Sequence, residues 1–359
     1  MMPDIIDHCV KMKMTYEYIA KLHKKLYVNG FKENELAKIA EEHLKYIPRK
    51  KLYRYRSCNE REIKTLKNNS IWLADPEKFP DMFDSVVNIP CKEQIKADFY
   101  FDLYYRITYE AYVDVLEEGE EAVTYDEWVE ALKYHAATMD FDKAQREYED
   151  LITENIDLEN FNINPIIEDA EKVEKFFNVV RKYPRKNCSI ASFTTTYDNM
   201  VMWENYASNY QGFCIEYDFQ KLFQNDLKYN IQDILYFLPI KYYKTRPLFD
   251  SNYIIEDYVE CKLSQDMSKL DVDYFLTELY RSMLSKKKEY SFEKEWRFII
   301  HKQCRGEYYF PYISKIILGK DVTKNDEETL IKIATDINVN VYKQYFNLEL
   351  DKMDYVKVR

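Results

Sequence analysis

The chain has 359 residues, 46% hydrophobic and 32% charged, with a net charge of −11; that balance is ordinary for a globular protein and excludes wholesale disorder. Its five glycines (Gly30, Gly119, Gly212, Gly306, Gly319) are too scattered for a dinucleotide fingerprint or a P-loop, which need several within a few residues. Seven cysteines without CxxC spacing argue against a disulfide framework or structural zinc.

Residues 4–46 carry apolar positions at helical spacing (Tyr16, Ile19, Leu22, Leu26) with a break at Gly30, and Pro48 ends this N-terminal helical segment, 1–48. Residues 51–57 and 70–74 then predict strands on either side of a short helix, opening an α+β core at 49–91. From 92 to 180 the character changes to acidic and helical, with 24 Asp and Glu against 8 Lys and Arg. That shift marks an insertion. After Pro184 the second part of the core, 181–359, predicts strands at 188–195, 212–217, 235–243, 295–301, 314–319 and 339–345. Helices are expected at 198–208, about 253–287 and 321–336, and the tail LELDKMDYVKVR adds a last strand. The expected fold is α+β. It has a mixed, mainly antiparallel sheet built from both ends of the sequence and an acidic helical insertion between its second and third strands. The N-terminus has no apolar core of signal-peptide length, and no stretch approaches the roughly 18 apolar residues of a membrane span, so a cytoplasmic protein without a membrane partner is expected.

Three motifs carry chemistry. In LYRYR (52–56) strand alternation puts Tyr53 and Tyr55 on one face, with Arg54 and Arg56 on the other. Two adjacent guanidinium groups suit phosphate or carboxylate, or else mark a solvated strand face. In SFTTTYDNMVMWENYA (192–207) a strand ending in hydroxyls (Ser192, Thr194, Thr195, Thr196) enters a helix expected to be capped near Asp198. Strand ends and helix N-termini present donors to anions. Trp203 follows at core spacing and is kept among the candidate binding residues. In FEKEWR (292–297) alternation puts Glu293, Glu295 and Arg297 on one face. Paired carboxylates there either make a cross-strand ion pair through Arg297 or wait for a ribose hydroxyl or a developing cation. Basic clusters precede all three motifs (Arg49, Lys50 and Lys51; Arg181, Lys182, Arg185 and Lys186; Lys286, Lys287 and Lys288), which predicts one positive surface around a common cleft.

On these stretches, with IWLADPEKFPDMFDS and KIILGKDV, the chain resembles the bacterial domain of unknown function 2971 family over roughly 51–320, apart from the insertion. The family usually has Asn and Pro around the Asp of FPDMFDS, where this chain has Pro80 and Met82. The motif order also resembles, more weakly, the Arg–Ser–Glu class of ADP-ribosyltransferases: Arg56 in YRS, Ser192 and Thr194 in SFT, Glu293 and Glu295 in EKE. That resemblance implies a split sheet binding NAD. Arg56, with Arg54, Tyr53, Trp203 and Arg297 nearby, would hold the cofactor, while Ser192 and Thr194 brace the cleft. Glu295 would bond the nicotinamide ribose and stabilise an oxocarbenium-like transition state, and Glu293 would orient the acceptor.

The leading expectation is therefore an NAD-using ADP-ribosyltransferase-like enzyme, a toxin or anti-phage defence effector. The alternative is a non-catalytic module that binds a nucleotide, another phosphate-bearing small molecule or nucleic acid at the basic cleft, with the acidic insertion docking a protein partner. A metal-dependent phosphodiesterase using Glu293, Glu295 and Asp84 would lack an accompanying histidine, and no metal is expected.

Overall fold

The computed structural model describes residues 14–26, 32–92, 123–136, 164–223, 230–264, 271–301, 304–349 and 351–359, together with scattered positions between 94 and 113. Its contacts divide the chain into two units. The first takes in residues 1–88, 182–247 and 276–359; the second takes in 89–181 and 248–275.

The first unit is built on an eight-stranded sheet. In chain order the strands are β1 (Lys51–Arg56), β2 (Ser70–Leu73), β3 (Ser189–Thr194), β4 (Phe213–Asp218), β5 (Phe237–Pro239), β6 (Lys241–Tyr243), β7 (Ser285–Lys287), β8 (Glu295–Ile300), β9 (Gly306–Tyr309), β10 (Ile313–Leu318), β11 (Asn340–Asn347) and β12 (Lys352–Lys357). The sheet order is β12-β11-β10-β4-β1-β3-β8-β5. Every neighbouring pair is antiparallel except β10 and β11, which the helix Lys324–Asp336 joins as a crossover. The fold is thus α+β with a mixed, mostly antiparallel sheet. The second expected strand departs from the reading, because β2 leaves the main sheet to pair with β9. The stretch 235–243 breaks into a 3₁₀ turn, β5 and β6, the last pairing with β7 in a third small sheet. The helical region 253–287 resolves into Ser251–Ser264 and Val272–Met283, with Lys286 and Lys287 on a strand.

One face of the sheet covers the main core. Leu52, Phe193, Ile215, Tyr217, Trp296 and Phe298 pack there with Phe237, Phe310 and Ile316. Each fully buried side chain of this size contributes about 1.5–3 kcal/mol. The opposite face covers a smaller cluster of Tyr53, Tyr55, Cys214 and Ile317 under Trp203 and Tyr210. The turn Ser208–Tyr210 that brings Tyr210 there has three consecutive positive φ values (48°, 52° and 65°). It approaches β10 so closely that a Cβ at Gly319 would lie 2.0 Å from the Tyr210 carbonyl oxygen, and at Gly212 a Cβ would lie 2.1 Å from the Arg56 carbonyl oxygen at the end of β1. Glycine is required at both positions by these close approaches.

The seam between β1 and β3 positions the site. Those strands share one register pair, Tyr53 opposite Thr194. Beyond it they part, and Ala74 at the end of β2 takes over β3 by a two-way bridge to Ile190 (2.8 and 3.2 Å). The sheet is therefore open where Arg54–Arg56 would otherwise face Ala191–Phe193.

The second unit contains the helices Tyr125–Ala136 and Ser251–Ser264 and most of Asn164–Asn187. Phe177 packs edge-on against Phe249 (6.0 Å), and Glu174 pairs with Lys92 at 3.1 Å and Lys96 at 3.6 Å. Among the described residues no helix is long and apolar enough to cross a membrane.

Candidate functional site

A cavity of about 1190 Å³ opens at the β1–β3 seam. Tyr53, Arg54, Arg56, Ser192, Thr194, Glu293 and Glu295 all line it, so residues from three distant motifs meet in one place. Register explains the meeting. Glu295 pairs with Thr194, and Thr194 with Tyr53, which sets these three in one row across β8, β3 and β1. Directly paired residues point to the same face.

At the Glu295 end of this row is a buried ion cluster. Arg297, 1% exposed, donates through Nε to Glu295 Oε1 (2.8 Å) and through Nη2 to Glu295 Oε2 (3.2 Å). It also holds Asp84 at 2.8 Å and the Ser85 hydroxyl at 3.0 Å. Lys286 Nζ lies 2.7 Å from Glu293, 2.9 Å from Glu295 and 3.5 Å from Asp84. Its ammonium therefore fills the point between three carboxylates where a phosphodiesterase metal would have to sit. Three carboxylates against two cations leave one negative charge in excess.

The electrostatics follow. Burial pushes the Glu295 carboxyl up, and the charges of Arg297 and Lys286 more than reverse this, so it stays below the ordinary carboxylate range. Asp84 is held low by the same balance, burial opposed by Arg297 and Lys286. Burial works against the Lys286 ammonium, but Glu295, Asp84 and Glu293 outweigh it and raise its pKa. A protonated lysine of this kind is no nucleophile. Tyr206 closes the cluster by donating its hydroxyl to Glu293 (2.7 Å), and burial followed by that carboxylate pushes its pKa up.

Several expected roles are corrected. Glu293 does not lie on the strand. It ends a 3₁₀ turn (Lys288–Glu293), and Lys294 in the left-handed region (φ 43°) turns the chain so that both glutamates still meet Lys286. Arg56 is not a free anion clamp, since Glu62 holds its Nε at 3.0 Å and its Nη1 donates to the Tyr55 carbonyl. Arg54 carries no ion pair among the described residues; it is 5% exposed, stacks over Phe193 at 5.0 Å, and its buried Nε has no acceptor. Trp203 is wholly buried, donates to the Tyr197 carbonyl (2.9 Å) and does not line the cavity. The Tyr53 hydroxyl turns away to Glu216 on β4 (3.1 Å).

The helix after the hydroxyl run is Met200–Tyr206, capped by Asn199 rather than Asp198: the Asn199 side chain accepts from the Met202 N–H (3.2 Å). Asp198 instead bonds Thr196, and Asn199 Nδ2 donates to the Phe292 carbonyl (2.7 Å). This helix end is occupied by protein groups.

The basic clusters do not form one surface. Of their members only Lys286 and Lys287 line the cavity. Arg181 donates to the carbonyls of Ile89 and Pro90, and Arg185 to those of Asp84 and Asp81. Tyr206 is the member that the sequence does not announce, and Asp84, grouped with the two glutamates there only as a metal ligand, meets Lys286 and Arg297 instead. Asp84 reaches the cluster because Arg185 and Arg246 hold the carbonyls of loop 81–86 from outside. Among the described residues no group of three or more His, Cys, Asp or Glu is placed to hold a metal ion.

A family model described as "Protein of unknown function (DUF2971)" matches residues 202–298, just over a quarter of the chain. The match takes in WENYA, GFCIEYD and EKEWR, and so covers Tyr206, Lys286, Glu293, Glu295 and Arg297; LYRYR and the hydroxyl run lie outside it. No curated protein and no solved structure matches the chain.

Proposed function

We propose that this protein is an ADP-ribosyltransferase-like enzyme that takes NAD into the cavity at the β1–β3 seam. One observation carries the reading: an arginine strand, a hydroxyl strand and a glutamate strand are neighbours, and their residues line a single cavity. The residues fit such a ligand. The unpartnered Arg54 suits a diphosphate, and Ser192 is exposed in the wall. Glu295 Oε1 accepts one hydrogen bond, from Arg297, which leaves a lone pair for a ribose hydroxyl. When bound, NAD would supply an activated ribosyl group with nicotinamide as leaving group. The chain's own contribution is to keep Glu295 ionised and aimed, through Arg297 and Lys286, and to hold the ligand between strands.

Glu295→Gln keeps the shape and removes the charge. In extract supplied with labelled NAD, wild type is expected to transfer label and release nicotinamide, and Glu295→Gln to lose at least about 100-fold in rate. Wild type without label transfer or nicotinamide release would sink the enzyme reading. A toxin or anti-phage role would then also fall.

A second reading has its own support, because Lys286 and Arg297 engage both glutamates in ion pairs. On that reading the cavity binds a nucleotide or nucleic acid without chemistry, and the acidic second unit docks a protein. Ligand binding without NAD turnover is its signature.

A further inference from the structure

We infer that Arg54 is the seat of a phosphate group, and that the ligand threads the sheet so that its phosphate lies on the face opposite Glu295. The inference rests on the cavity reading above and is independent of whether transfer follows.

A guanidinium removed from water needs acceptors. The other buried or half-buried arginines of the first unit have them, although Arg246 has them only for its two terminal nitrogens and its Nε, like that of Arg54, has none. Arg297 has Asp84 and Glu295, Arg56 has Glu62, Arg185 has two backbone carbonyls, and Arg246 has those of Phe83, Val86 and Ser282. Arg54 is 5% exposed, and among the described residues it has no carboxylate and no acceptor for its Nε. The Phe193 ring at 5.0 Å offers only a cation–π contact, which is weaker than the lost hydration. This side chain nevertheless lines the cavity. A buried, unneutralised fork facing an open space is matched to an incoming anion, and its planar geometry to the oxygens of a phosphate ester.

The sidedness comes from alternation. Tyr53 shares its face with Thr194 and Glu295, whereas Arg54 lies over Phe193, whose strand partner is Trp296 on the core face. Arg54 and Glu295 therefore belong to opposite faces of the sheet, and one cavity reaches both through the open seam. Arg61, over the Trp72 ring at 5.4 Å, and Arg305 line the same cavity, although both are partly neutralised by Glu62, Asp75 and Glu77. The volume exceeds the roughly 300–1000 Å³ of ordinary small-molecule sites. A nucleoside diphosphate carrying a second ribosyl group offers both groups, the diphosphate for Arg54 and the ribosyl hydroxyls for Glu295.

The test is calorimetric titration of inorganic pyrophosphate and ADP-ribose into wild type, Arg54→Met, Arg54→Lys and, as a control for bulk charge, Lys332→Gln on an exposed helix position. Wild type and Lys332→Gln should bind both. Arg54→Met should weaken both by about 10- to 100-fold, the range for a charged hydrogen bond, and Arg54→Lys by less. Because the charge serves the ligand rather than the fold, Arg54→Met should melt at the same temperature as wild type or higher. The inference is overturned by wild type that binds neither probe, by Arg54→Met that binds pyrophosphate like wild type, or by a clear drop in its melting temperature. Binding that depends on Arg54 without NAD turnover upholds the inference and removes the transfer reading. Turnover untouched in Arg54→Met does the reverse.

Discussion

Arg297→Met is expected to destabilise the protein by about 3–5 kcal/mol, the range for breaking a buried ion pair from one side. The melting temperature should fall on the order of 10 °C. Arg297 is 1% exposed, and its five donors serve Glu295, Asp84 and Ser85. Methionine has similar length and fills the space, so the loss is electrostatic rather than a cavity effect. Three buried carboxylates would then share Lys286 alone. Glu295 or Asp84 would take up a proton near neutral pH to relieve the repulsion, and stability would rise again on mild acidification. Adding Glu295→Gln to Arg297→Met should recover part of the loss, and a double-mutant cycle measures that coupling. A single mutant within about 2 °C of wild type would mean that the cluster is solvated and Arg297 is not its keystone.

The second large effect is acid lability. His23 and His43 are fully buried and His301 is half-buried, and burial pushes the pKa of each down: His43 and His301 to about 4, His23 well below its usual value, with His301 adding to its shift. One tautomer assignment satisfies their contacts. His43 Nε2 donates to the Phe237 carbonyl (2.9 Å) and His23 Nε2 to that of Leu235 (3.3 Å). The Tyr280 hydroxyl then donates to His23 Nδ1 and accepts from His301 Nε2, both at 2.7 Å.

A histidine whose folded pKa lies below its unfolded value near 6.5 stabilises fully above pH 6.5 and loses that contribution as pH falls toward the folded value. His43 and His301 should each forfeit roughly 3 kcal/mol by pH 4. Asp233 runs the other way. Burial raises its carboxyl to about 6 against hydrogen bonds from Tyr308 and Tyr312, so it gains stability as pH falls below 6 and offsets about one histidine. Asp84 and Glu295 add a further loss below the unfolded carboxylate range. Urea midpoints should therefore hold between pH 7 and 8 and drop steeply from 6.5 to 4, with a shallower slope in His43→Gln. A midpoint that stays flat down to pH 5 would contradict this.

Much of the sheet is legible in the sequence because strand alternation and turn residues are local. LYRYR reads as a strand with its arginines on one face, and so it folds. The crossover helix after KIILGKDV is read from its spacing, and Thr323 caps it through the Asp326 N–H. What escapes is set by distant partners. Which of the two arginines is neutralised depends on Glu62, which a short helix after β1 swings back over Arg56 but not over Arg54. Glu293 reaches its place through one left-handed residue, Lys294, that no periodicity announces. Asp84 is grouped with the two glutamates in the sequence, but its cationic partners are not, and arginines roughly 100 and 160 residues away hold its loop by backbone carbonyls. The basic clusters mislead for the same reason: charge counts along the chain do not reveal which arginines serve carbonyls inside.

The role left to each group is now specific. Arg297 and Lys286 keep Glu295 ionised, Tyr206 ties Glu293 to the helix Met200–Tyr206, and Arg54 faces the cavity without a protein anion. The most direct measurement is a crystal structure with ADP-ribose bound. The diphosphate is expected within hydrogen-bond distance of Arg54 on one face of the sheet, and a ribosyl hydroxyl on Glu295 Oε1 on the other. ADP-ribose bound elsewhere, or in the cavity with Arg54 untouched, would contradict it.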